Sequence, residues 1–193
     1  MLAQTAANST TSPSSTWIAI AVAVIVVIAL IWLFTRRQRT EHLKKQFGPE
    51  YDRHVRTIGS QRDAERELAE REQRYREMGI KQLSPRARER YSEEWRKVQA
   101  RFVDEPEAAL RGADVLIEIV MRERGYPVGD YNRQTEDLSV EHAGVVDNYR
   151  RAHEIAQDEN ASTELRRQAV ILYRSLFDSL LGITTSTAQE SRV

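Results

Sequence analysis

The residues of this chain best suited to acid–base or metal chemistry are its four histidines, His42, His54, His142 and His153. His142 and His153 are eleven positions apart. On a continuous helix that interval returns to the same face after about three turns and separates the rings by roughly 16 Å. One metal ion cannot span that gap, because imidazole ligands sit about 2 Å from a bound metal. A carboxylate can orient an imidazole for proton transfer, and Glu141, Asp147 and Glu154 lie near enough in sequence to do so. An HExxH zinc helix, a Walker-type phosphate loop and a dinucleotide glycine fingerprint are all absent from the sequence. The chain has no cysteine, which excludes structural disulfides, thiolate metal sites and cysteine nucleophiles. These histidines and acids are therefore expected at the surface or at helix ends. The expectation is a protein that is not an enzyme, with no catalytic, cofactor-binding or metal-ligating residue assigned and no cofactor.

The elements that would have to position any such residue begin with "WIAIAVAVIVVIALIWLF", Trp17 to Phe34, eighteen residues without a charge. As a helix this run rises about 27 Å, close to the roughly 30 Å hydrocarbon thickness of a bilayer. The sixteen residues before it carry no charged side chain, and no small-residue cleavage pattern closes it, which argues against a removed signal peptide. Trp17 at one end and Trp32 with Phe34 at the other suit an aromatic belt. The pattern predicts a transmembrane helix over 17–35 after a disordered Ser/Thr-rich tail over 1–16. Arg36, Arg37, Arg39, Lys44 and Lys45 follow it in a basic juxtamembrane segment over 36–47, which predicts a single pass through the cell membrane with the N-terminus outside and the remainder cytoplasmic. The same five cations are the expected contacts to anionic lipid.

From residue 48 to 182 the periodicity predicts a soluble helical bundle of about five or six helices, followed by a disordered tail over 183–193. Gly48 and Pro49 open a short helix. After Ser60, Ala64, Leu68, Tyr75 and Met78 form a thin apolar seam that could pack inside the chain or against a second copy. Ser84 caps a helix with Pro85 at its first position, and Ala87, Tyr91, Trp95, Val98 and Phe102 recur on one face, as burial requires. Pro106 opens the expected central helix, whose Ala109, Ala113, Leu116, Ile117, Val120 and Met121 face inward and which Gly125 ends. Its small residues Ala108, Ala109, Gly112 and Ala113 would admit a close neighbour. A short helix is predicted over about 130–138, with Ser139 as a possible cap for the next, and Ser162 caps the last helix, which Gly182 stops.

The formal net charge is zero, yet its distribution is uneven. Residues 36–101 hold 19 Lys and Arg against 12 Asp and Glu, a surplus of seven, whereas residues 102–193 hold 10 against 17. Mixed signs along most helices favour mutual neutralisation, and they argue against nucleic acid as a partner because no continuous basic track is present.

"FGPEYDR", "LSPRARERYSEEW", "ARFVDEPEAAL", "RGYPV" and "STELRRQAVILYRSLFDSLL", in that order over about residues 43–181, resemble a family of uncharacterised bacterial proteins often labelled hypothetical, membrane or secreted. The resemblance implies a membrane-anchored helical protein and transfers no catalytic residue. The combined expectation is an all-α protein acting as a membrane-tethered scaffold or adaptor, with the bilayer and a protein as partners and self-association as a further possibility. The alternatives are a module that binds anionic lipid or nucleic acid through the basic half, favoured if Arg86 to Arg101 form one exposed surface, and an enzyme, favoured if a pocket gathers His142 or His153 with Asp147 or another buried acid.

Overall fold

A computed structural model describes residues 13–183, apart from the side chains of residues 13–16, 18, 19 and 21. The described residues form eight α-helices and no strand: α1 Pro13–Phe47, α2 Pro49–Ile58, α3 Gln61–Met78, α4 Pro85–Arg101, α5 Pro106–Arg124, α6 Tyr131–Glu141, α7 Val146–Gln157 and α8 Thr163–Leu180. The chain divides into one unit ending at His42 and a second beginning at Leu43. The all-α class agrees with the sequence.

The first unit is helical from Pro13 onward, so the helix runs through the boundaries expected at 17 and 36. Residues 1–12 of the expected tail lie outside the described residues, as do 184–193 at the other end. Among the described residues, no helix is long and apolar enough to cross a membrane. This overturns the transmembrane helix over 17–35 and the single-pass placement in the cell membrane built on it. The apolar side chains described on this unit, from Trp17 to Phe34, are exposed. A helix apolar on every side calls for cover that the described chain does not supply.

In the second unit, seven helices fall between residues 48 and 182, more than the five or six expected. The short α2 and α6 are separate elements. Two cores hold the unit together. The smaller gathers Leu43, Phe47, Tyr51, Leu68 and Val140 from the end of α1, α2, α3 and α6. The larger gathers Trp95, Ile117, Tyr149, Tyr173 and Phe177, with their neighbours on α4, α5, α7 and α8. Burial of Ala64 and Leu68 shows that the apolar seam of α3 packs within the chain, which corrects the expectation that it could pair two copies.

Side-chain caps explain where α4, α6 and α8 begin. Ser84 Oγ accepts from the Ala87 amide at 3.1 Å, Asp130 from the Arg133 amide at 3.1 Å, and Ser162 from the Leu165 amide at 3.2 Å. Each satisfies an amide that the first helical turn would otherwise leave without a partner. Ser139 does not cap a helix: it is buried inside α6, where its hydroxyl donates to the Glu136 carbonyl at 2.6 Å. α5 ends at Gly125, whose φ of 101° is open to glycine and strained for other residues.

Trp95 is fully buried with its ring stacked on Phe177 at 4.6 Å between centroids, so it joins α4 to α8. Truncation to Ala should cost about 3–5 kcal/mol, since the vacated space cannot close completely. Urea unfolding followed by far-UV circular dichroism measures this; a loss below about 1 kcal/mol would show that the contact between α4 and α8 does not depend on this ring.

Candidate functional site

The residues whose chemistry drew notice in the sequence are distributed over several separate places. His142 follows α6 as its C-cap, and His153 lies within α7, so the chain breaks between them and they do not share one helix face. His153 stacks on Tyr131 at 4.0 Å between ring centroids, and its Nδ1 is 3.8 Å from Asp114 Oδ2, beyond hydrogen-bonding distance. Asp147 is paired with Arg150 at 2.8 Å and lies 3.6 Å from Arg53. Glu141 does lie beside a histidine, His142, at 3.5 Å. Among the described residues, no group of three His, Asp or Glu side chains is arranged to hold a metal ion.

Around His142 the polar groups form a closed network. Arg124, 4% exposed, donates to both Glu141 carboxylate oxygens at 2.8 Å and to the carbonyl of Lys81 at 3.1 Å. The Tyr75 and Tyr126 hydroxyls donate to Glu141 Oε2 at 2.7 and 2.8 Å. Arg124 Nη1 lies 2.9 Å from His142 Nε2, and His142 Nδ1 lies 2.7 Å from Ser179 Oγ. A guanidinium only donates, so Nε2 must be the lone-pair nitrogen and Nδ1 must carry the proton. His142 therefore donates to Ser179. A histidine that activates a serine would have to accept the hydroxyl proton instead, so this pair is polarised against nucleophilic catalysis.

Burial lowers the His142 pKa to about 4, with Arg124 acting in the same direction against the opposing charge of Glu141. Burial alone would raise Glu141, but hydrogen bonds from Arg124 and Tyr75 outweigh it and bring the carboxyl to about 2. Neutral His142 takes up a proton more readily once the chain unfolds, where its pKa is about 6.5. Its contribution is thus complete above pH 6.5 and is lost as the pH falls toward 4, amounting to about 3 kcal/mol at most. His54 is also lowered by burial and has the same sign. Thermal melts between pH 4 and 8 should show His142→Gln flattening the Tm slope between pH 6.5 and 5. An unchanged slope would remove His142 as its source.

A second buried network joins α2, α3 and α7. Glu50, 2% exposed, accepts from Arg150 at 2.8 and 2.9 Å and lies 3.6 Å from Arg71 Nη1. Arg71 also lies 3.6 Å from Glu136 on α6 and 3.4 Å from His54 Nδ1, while His54 Nε2 meets Glu67 at 3.0 Å. Glu50 and Arg150 are a hundred residues apart, and no local motif announces the pair. Arg150→Met should cost about 3 kcal/mol or more, because a buried carboxylate loses its bidentate partner. The double variant Glu50→Gln, Arg150→Met should recover part of that loss in urea unfolding; equal destabilisation by both would remove the pair as the cause.

These networks also account for much of the charge that the sequence left unplaced. Arg71 and Arg124 are held in internal ion pairs. Arg90 pairs with Glu123 and Arg101 with Glu105, so Arg86 to Arg101 do not form one free basic surface. That corrects the alternative of a lipid- or nucleic-acid-binding basic half. Arg36, Arg37, Arg39, Lys44 and Lys45 are exposed on α1. With no helix among the described residues able to cross a membrane, their expected role beside a bilayer loses its basis.

An open apolar groove lies between α4 and α5. The groove, of about 270 Å³, is floored by Val98, Ala108, Ala109, Gly112, Val115, Leu116 and Ile119 and rimmed by Glu94, Lys97 and Arg101. Val115 is 55% and Ile119 40% exposed, although the opposite face of α5 is buried in the core. The sequence held the signal: small residues at the start of α5 marked a close approach, and Val115 and Ile119 fall outside its inward-facing set.

No family model, curated protein or solved structure matches this chain. The resemblance to a family of membrane-anchored bacterial proteins is corrected accordingly, and the shared phrases carry no family assignment.

Proposed function

We propose that this chain is a helix-docking protein that works by binding, without turnover, through the groove between α4 and α5. The observation that carries this reading is the exposure of Val115 and Ile119 beside Gly112, within a groove lined by apolar side chains and bordered by charges of both signs. An apolar floor with a charged rim fits an amphipathic helix, which presents anchors at helical spacing and keeps its polar face wet. The state of His142 supports binding over catalysis, because the polar cluster with the most catalytic appearance directs its proton away from the base role. Neither the membrane tether nor the basic-surface alternative has a part in it.

A photoreactive benzophenone side chain placed at Val115 in the intact chain, in the cells that make it, should give a discrete crosslinked species. The same group at Ile171, an equally exposed apolar position on α8, serves as the reference. Crosslinking at least fivefold stronger at 115 supports docking in the groove, and equal yields at the two positions would overturn it.

A further inference from the structure

We infer that the groove is filled by a second copy of this chain, with α5 packed antiparallel on the partner's α5. This rests on the docking reading above and names the occupant. Ala108, Gly112, Val115 and Ile119 follow one another at intervals of four, three and four along the outer face of α5, the spacing of a seam between two helices. The seam is graded: small residues occupy its N-terminal half and branched ones its C-terminal half.

In an antiparallel pair with its two-fold axis between positions 112 and 115, Ala108 meets the partner's Ile119 and Gly112 meets the partner's Val115. Each large side chain then fills the space left by a small one. A parallel pair would set Ile119 against the partner's Ile119 and leave a void between the two copies of Ala108. The flank of the seam away from α4 agrees. Arg111, which pairs with Glu107 in its own helix, and Glu118 lie along it, and each falls about 3 Å from the level of the other in the partner across that axis, within reach of a symmetric pair of ion contacts. Size and charge therefore both make this face complementary to itself in one orientation.

Because the chain has no cysteine, the geometry can be tested directly. Ala108→Cys and Ile119→Cys are prepared as full-length chains, oxidised singly and mixed in a mild non-ionic detergent that keeps α1 from associating. Positions 108 and 119 are separated by about 16 Å along the helix, too far for either variant to bridge to its own kind in the antiparallel arrangement. The mixture should give a disulfide-linked dimer at least fivefold more abundant than either variant alone. Arg111→Glu or Glu118→Arg, added to both components, should reduce that yield at least fivefold, and the double exchange Arg111→Glu, Glu118→Arg should restore it. Crosslinking of Ala108→Cys to itself, or failure of the double exchange to restore the yield when circular dichroism melts match the parent, would overturn the antiparallel dimer. If the mixture fails to crosslink while the benzophenone at position 115 captures a chain of another mass, the second copy is wrong and the docking reading stands. If both fail, the groove docks nothing.

Discussion

Glu50 places a strict demand on the second unit. It is 2% exposed in the first turn of α2, and burying an unpaired carboxylate costs several kcal/mol. The bidentate contact from Arg150 and the nearby Arg71 meet that demand, and in doing so they fix α2 against α7 and α3. Guanidinium suits this task because its planar fork matches a carboxylate and keeps its charge when desolvated. The apolar core beside it gathers only five buried side chains, so the geometry on this side of the unit depends on the ion network as well as on packing.

Much of the fold was legible because helix periodicity is a local signal. Tyr91 and Trp95 are buried as their spacing requires, and Ser84, Ser162 and Gly125 act as the start and stop residues they resemble. The stretch around Ser139 was misread for the opposite reason. Its neighbours supply too little apolar patterning to show that α6 continues to Glu141, and a serine that caps one helix looks the same in sequence as one that bonds back within another.

The candidate site was less legible. The groove depends on residues of two helices: periodicity leaves Val115 and Ile119 outside the inward-facing set of α5, but it does not show that Val98 on α4 stands beside them as the other wall. The His142 cluster illustrates a different limit. Glu141 and His142 are adjacent in the chain, but their chemistry is decided by Arg124 and Ser179, which arrive from α5 and α8. Proximity in sequence suggested an acid–base pair, whereas the tautomer imposed by Arg124 makes it a structural clasp.

Both walls of the groove come from consecutive helices joined by the short segment 102–105. At the open end of that hairpin the Lys81 amide donates to the Arg124 carbonyl at 2.8 Å, and the Arg124 side chain returns a bond to the Lys81 carbonyl at 3.1 Å. The stretch from 81 to 124 is thereby buckled shut by its own ends. Its width is a matter of near neighbours, so loosening the distant contacts of α2 and α3 would leave the hairpin's spacing unaltered, and the surface could retain its shape while the opposite side of the molecule breathes.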